Sequence, residues 1–134
     1  MEIHVGYLVQ DRLVMADFYR AVLGFEIAYT FRVPAPNMRE IMEIDTEAEV
    51  TVLKLDGIRL EFIELKHPPV NKAPSFHFGM HHIALRVASP EDVVKHASSL
   101  GSRVRQTFRQ DHITYYMEDP EGNTVEVSKI RGTD

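Results

Sequence analysis

The sequence predicts an α+β fold made of two copies of one βαβββ module, and three observations predict it. First, His4-Val5-Gly6-Tyr7-Leu8-Val9 and His82-Ile83-Ala84-Leu85-Arg86-Val87 share an opening histidine and the same apolar pattern behind it. Second, Asp56-Gly57-Ile58-Arg59-Leu60-Glu61 matches Glu121-Gly122-Asn123-Thr124-Val125-Glu126 position by position: acid, Gly, two variable residues, an apolar residue, Glu. Third, both copies place a helical apolar stripe after the opening run and end it on Leu-Gly, at Leu23-Gly24 and Leu100-Gly101. The spacing between copies shortens sharply after the Leu-Gly pair. An insertion therefore lies in the first copy between Gly24 and Gly57.

In the first module Ile3, Val5, Tyr7 and Val9 alternate with His4, Gly6 and Leu8, the period of two expected of a strand with one packed face. His4 then faces the side opposite Ile3 and Val5. Asp11 is placed to cap a helix running to about Leu23, with Val14, Phe18, Val22, Met15 and Tyr19 at helical spacing and Gly24 as a left-handed stop. Residues 25–33 read as strand. Residues 34–48, with two prolines and mixed charge, coincide with the insertion and read as a loop with at most a helical turn. Asp56-Gly57 between the β-rich runs 50–55 and 59–65 predicts a hairpin.

Residues 66–78 carry three prolines and no apolar periodicity, as a linker would. The second module repeats the order. A strand over 81–87 is followed by Ser89 as N-cap, Pro90 at the first helical position and Asp92 completing a capping pair, with Val93, Val94, Ala97 and Leu100 as the buried stripe and Gly101 as its end. Strands near 103–108, 112–117 and 123–130 follow, and Asp119-Pro120-Glu121-Gly122 forms the turn between the last two. One domain is expected, made of repeats 1–65 and 79–131.

The composition narrows the functions open to such a chain. Its 134 residues, 44% hydrophobic and 26% charged, suit one globular domain. Fifteen Lys and Arg against twenty Asp and Glu give a formal net charge of −5, with the positive residues scattered, so no nucleic-acid or anionic-membrane partner is expected. The absence of cysteine excludes disulfides, thiolate metal sites and a cysteine nucleophile. Met1-Glu2-Ile3-His4-Val5 already reads as strand rather than a leader, and no run approaches the ~18 apolar residues of a membrane span. A cytoplasmic location is the expectation.

The chemistry-bearing residues come from the repeat. His4 and His82 hold equivalent places, as do Glu61 and Glu126, and ionisable groups beside apolar strand neighbours are costly unless something pairs them. Two glutamates facing one cavity would repel, whereas a divalent cation cancels both charges. Nitrogen and oxygen donors without sulfur suit nickel, cobalt, manganese, iron or magnesium, or zinc of high coordination number. A pair of Glu-His hydrogen bonds without an ion is the alternative.

Parity puts Ala84 and Arg86 on the face of His82, Arg59 and Ile63 on that of Glu61, and Thr124 and Ser128 on that of Glu126. Arg86 is therefore a candidate to hold an anionic substrate group, or else a rim arginine. Glu64 falls on the face opposite Glu61 and reads as a solvent residue. Tyr115 and Tyr116 point oppositely, one toward a cavity and one into the core. His77 and His81 have a helical zinc spacing that Gly79 interrupts, and Arg103, Arg105 and Arg109 read as a solvated strand face.

These motifs resemble the vicinal oxygen chelate superfamily, which includes glyoxalase I, methylmalonyl-CoA epimerase, extradiol dioxygenases and antibiotic-resistance proteins. The resemblance covers nearly the whole chain and rests on His4-Val5-Gly6, Asp17-Phe18-Tyr19 with Leu23-Gly24-Phe25, Arg59-Leu60-Glu61, Gly79-Met80-His81-His82-Ile83-Ala84 and the run 119–126. It implies that the two modules curl into a barrel-like sheet of eight strands around a central metal cleft, with His4, Glu61, His82 and Glu126 as ligands. A complete set of four points to the glyoxalase and epimerase branches, in which a metal-bound glutamate, here Glu126 or Glu61, is the base that moves a proton next to a carbonyl. Lewis-acid support makes such a proton removable, and a carboxylate freed from the ion stands where a base is needed. A small carbonyl or thioester compound is the implied substrate. A homodimer is expected because the open edges of such a duplicated sheet need covering and the proline-rich linker 66–78 lets modules pair within or between chains. An extradiol-type dioxygenase and a non-enzymatic small-molecule (antibiotic) binding protein are the alternatives within the same fold.

Overall fold

A computed structural model describes residues 1–69, 78–109 and 111–131, and its chain divides into two units, Met1–Phe78 and Gly79–Asp134. Most of the expected linker 66–78, with His77, lies outside the described residues. The first unit runs β1 (Ile3–Val9), α1 (Arg12–Leu23), β2 (Glu26–Val33), α2 (Ala35–Met42), β3 (Ala48–Leu55) and β4 (Ile58–Leu65). The second runs β5 (His82–Val87), α3 (Pro90–Ser99), β6 (Val104–Arg109), β7 (His112–Glu118) and β8 (Thr124–Lys129). Each unit has one four-stranded mixed sheet, ordered β1-β4-β3-β2 in the first and β5-β8-β7-β6 in the second. The opening strand pairs parallel with the last strand of its own unit, and the remaining pairs are antiparallel. The α+β class is thus as the sequence predicts. The second unit follows the βαβββ order and the first adds α2 between its second and third strands. The strands form two four-stranded sheets rather than the one eight-stranded sheet that the resemblance implies.

The first unit builds its core on an aromatic cluster between α1 and the sheet. Asp11 starts the helix by accepting hydrogen bonds from the backbone N–H of Leu13 and Val14, both at 3.0 Å. Gly24 ends it in the left-handed region at φ 77°, donating to the Arg20 carbonyl at 3.1 Å. Between them Met15, Ala16, Phe18, Tyr19, Val22 and Leu23 are buried, while Val14 is exposed. Tyr19 packs tilted on Phe62 of β4 at 5.2 Å between ring centroids, and Tyr7 of β1 stacks on the same ring at 5.6 Å. Both Tyr19 and Phe62 are fully buried.

The inserted stretch holds an element that composition hides. Residues 35–42 form α2, not a loop, with Pro34 at the N-cap and Pro36 in the first turn. Prolines there break no helical hydrogen bond, because the first-turn N–H groups have no intrahelical acceptor. Met38 is buried in a cluster with Ala48, Val50, Val52 and Ile63, and Met42 packs against it. Two methionines are a short stripe, which is why no helical period stands out.

Ser89 is the N-cap residue of α3 and Pro90 its first residue, but Ser89 makes no side-chain capping bond, so the expected capping pair is absent. The acidic Glu91 and Asp92 in the first turn favour the helix N-terminus electrostatically instead. Val94 and Ala97 are buried, whereas Leu100, expected in the stripe, stands exposed at the C-cap. Gly101 follows at φ 90°. At the β7–β8 turn the buried Asp119 carboxylate accepts from the backbone N–H of Glu121 and Asn123 and from the Asn123 side-chain amide. That turn sets the register in which Glu126 is presented.

At the outer end of the first sheet Glu47 lies 2.6 Å from Arg32 and 2.7 Å from Lys66. The hydrogen bond from Lys66, aided by the charge of Arg32, holds its carboxyl below the ordinary value of 4.5. Glu64 is not a solvent residue, since it stands half-buried 3.6 Å from Arg12, which also pairs with Glu49. No helix among the described residues is long and apolar enough to cross a membrane.

Candidate active site

Strand register gives the two units the same arrangement of ionisable groups. In the first, β1 lies parallel to β4 with His4 opposite Arg59 and Gly6 opposite Glu61. In the second, β5 lies parallel to β8 with His82 opposite Thr124 and Ala84 opposite Glu126. Each histidine therefore sits diagonally next to its glutamate on one sheet face, two residues before the small residue beside that glutamate. A Cβ on Gly6 would meet the Ile63 side chain at 3.4 Å, an ordinary contact, so the position has room for an alanine such as its counterpart Ala84.

The second unit displays the pair most fully. His82 Nε2 is 3.9 Å from Glu126 Oε2, with side chains 34% and 25% exposed. The Tyr116 hydroxyl donates to the other carboxylate oxygen, Oε1, at 3.0 Å, and its ring lies edge-on to His82 at 6.1 Å. On the far side His81 Nδ1 meets His82 Nδ1 at 2.9 Å. Tyr116 is the cavity tyrosine of the pair. Tyr115 is the core one, and burial together with the charge of Glu91 pushes its phenol above the ordinary value.

A cleft of about 400 Å³ opens beside Glu126, lined by Ala84, Arg86, Thr107, His112, Thr114, Tyr116, Ser128 and Arg131. Arg86 is on this wall, as its parity with His82 predicts. Thr114, His112 and Arg131 were not singled out in the sequence. Period two from Tyr116 reaches Thr114 and His112, but Arg131 lies beyond the end of β8 and no pattern marks it. Arg105, read as solvated, has its guanidinium 5.8 Å from the Tyr116 ring centre, within cation–π reach.

In the first unit His4 is exposed and Glu61 half-buried. The face of Glu61 also carries Val52, its register partner, and Ile63, both buried under Met38 of α2. The insertion helix thus walls the glutamate face of this sheet, opposite α1. Thr51 and Glu49, by contrast, pair in register with Phe62 and Glu64 and belong to the other face. No second carboxylate base stands on β3 beside Glu61.

Among the described residues no three His, Asp or Glu side chains cluster closely enough to hold a metal ion. Within each unit the repeat supplies one imidazole and one carboxylate, His4 with Glu61 and His82 with Glu126. The donor chemistry of the second pair does fit a divalent ion, since His82 Nε2 and Glu126 Oε2 face each other while Tyr116 occupies the remaining carboxylate oxygen.

The repeat geometry agrees with a family model, described as the glyoxalase/bleomycin resistance protein/dioxygenase superfamily, that matches residues 3–127. The chain belongs to that superfamily. No curated protein matches it. Among solved structures it is similar to a glyoxalase family protein from Bacillus cereus, with TM-score 0.82 and 17% identity over 98% of this chain and 94% of that one. It is also similar to the trypanothione-dependent glyoxalase I of Leishmania major, with TM-score 0.66 and 15% identity over 96% and 86%. A fosfomycin resistance protein from Listeria monocytogenes gives TM-score 0.65 and 14% identity over 98% and 92%. At such identities the likeness is one of fold. A glyoxalase and a resistance protein score alike, so membership of the superfamily does not choose the reaction.

Proposed function

We infer that this superfamily member is a divalent-metal-dependent lyase or isomerase that moves a proton on the carbon next to a carbonyl, in the manner of glyoxalase I or an acyl-thioester epimerase. The observation that carries the reading is the complete His-Glu pair in each unit, in identical register. Dioxygenase and fosfomycin-type members typically use two histidines and one glutamate, and the bleomycin-binding members have lost the ion. His4, Glu61, His82 and Glu126 would hold the metal, whether within one domain built of the two repeats or between two copies of a cytoplasmic homodimer. The bound ion would supply charge stabilisation to the oxygen that becomes negative when the carbon loses its proton.

Glu126 is the first choice of base. The Tyr116 hydroxyl fixes one carboxylate oxygen, and the other, Oε2, stands 3.9 Å from His82 Nε2. The C–H bond breaks with its proton passing to that oxygen, and the electron pair moves onto the carbonyl to give an enolate. Return of the proton to the opposite face of the same carbon completes an epimerisation. Where that carbon bears a hydroxyl, loss of the hydroxyl proton to the first carbonyl oxygen and delivery of the carried proton to the neighbouring carbon leave the carbonyl shifted by one position. Glu61 is the second choice, and with β3 offering no other carboxylate on its face, a two-base scheme would have to draw on both metal-set glutamates.

Elemental analysis with deuterium uptake tests the reading. Stoichiometric metal, lost in His82→Ala and His4→Ala, is expected together with α-deuteration of a carbonyl substrate in heavy water and its loss in Glu126→Gln. Catechol cleavage in air by iron-loaded protein, without α-exchange, would replace the reading with a dioxygenase. Ligand binding with no turnover would favour a sequestering protein.

A further inference from the structure

The cleft beside Glu126 has a chemistry of its own that the proton transfer does not use. Across the sheet of the second unit, Ala84, Glu126 and Tyr116 form one row of register partners. The next row carries Arg86 paired with Ser128, and Thr114 paired with Thr107. Beyond it the Arg131 guanidinium nitrogen lies 3.1 and 3.2 Å from the two ring nitrogens of His112. The wall therefore grades from a carboxylate at one end to two guanidinium groups and three hydroxyls at the other.

The two arginines differ from most others in the chain. Arg12, Arg20, Arg32, Arg39, Arg59 and Arg103 each stand against a carboxylate. Among the described residues Arg86 and Arg131 have no such ion pair, and both line the same concavity. Guanidinium forks beside hydroxyl donors are the donor set that a carboxylate, phosphate or phosphonate takes up through charge-assisted hydrogen bonds.

We propose that this part of the cleft is an anion pocket, and that the substrate is a compact carbonyl compound carrying an anionic group. The proposal rests on the reading above in taking Glu126 as the group that faces the reacting carbon. Two residues along a strand span about 6–7 Å, which sets the separation between the Glu126 row and the Arg86 row. A short chain of a few bonds between the acidic carbon and the anion fits that distance. The cleft volume, near the low end of ligand pockets, suits a small molecule rather than a bulky conjugate.

Calorimetric titration of the full chain with levulinate, acetonylphosphonate and uncharged pentanone tests it, with and without added metal. The anionic ketones are expected to bind saturably and the neutral one not, with affinity falling as salt rises. Comparing the first two ligands tells a carboxylate pocket from one for phosphorus oxyanions. Arg86→Gln and Arg131→Gln should each weaken binding at least about tenfold, while Arg103→Gln, an exposed control for lost charge, should not. Equal binding of pentanone, or equal weakening by Arg103→Gln, would overturn the anion pocket. Proton exchange separates the two readings. Arginine-dependent binding without exchange rejects the base and keeps the pocket, whereas exchange on the anionic ketones that is unaffected by Arg86→Gln and Arg131→Gln rejects the pocket and keeps the base.

Discussion

At the scale of the residue, the unit that organises the candidate site is the contact between Tyr116 and Glu126. These side chains are register partners on adjacent antiparallel strands, so the 3.0 Å hydrogen bond between them follows from the sheet pairing. Holding one carboxylate oxygen orients the other, and loss of an orienting partner typically lowers metal affinity or activity by about ten- to a hundredfold. Tyr116→Phe is accordingly expected to lower kcat by about tenfold or more with little change in KM, and to weaken metal retention against a chelator. An unchanged kcat and unchanged retention would mean that the hydroxyl plays no part. Alternation along β7 makes an inward tyrosine readable from the sequence, but its partner is not, because the pairing of β7 with β8 is a non-local fact.

At the scale of the element, the helix ends separate local signals that the fold uses from one that it leaves idle. Asp11 accepts two backbone hydrogen bonds and Ser89 none through its side chain. Asp11→Ala should therefore cost about 1 kcal/mol of stability, whereas Ser89→Ala should fall within about 0.5 kcal/mol of the parent protein. Urea denaturation of both variants decides the matter, and equal losses would contradict the difference in capping. Asp11, Gly24 and the Asp56-Gly57 hairpin are legible because each signal acts within a few residues of itself. The α2 helix is not, since prolines at its start imitate a loop and only Met38 and Met42 mark its packed side. Leu100 fits the helical period yet lies exposed, because α3 ends one residue before it.

At the scale of the whole molecule, the duplication reappears as topology. Both sheets put the opening strand beside the last strand of the unit and the second strand at the opposite edge. Opening strands β1 and β5 and second strands β2 and β6 are thus the edges of their sheets, and such edges favour association unless covered. Together with the fold, this supports a homodimer, expected in sedimentation as a dimer at micromolar concentration. A monomer under those conditions, with metal still bound in stoichiometric amount, would instead assign all four donors to one chain.

By itself the sequence determined the α+β class, the two βαβββ copies, the place of the insertion and the equivalence of His4 with His82 and of Glu61 with Glu126. Those follow from periodicity, turn chemistry and internal repetition, which act over short spans or compare like with like. Tertiary structure alone decided that Tyr116 holds Glu126, that Arg86 and Arg131 share one end of a cleft with the hydroxyls of Thr107, Thr114 and Ser128, and that the insertion folds into a helix over the Glu61 face. Each of those depends on which strand lies beside which and on where the chain returns after a strand ends. Contacts of that kind join residues distant in sequence, and local pattern carries no record of them.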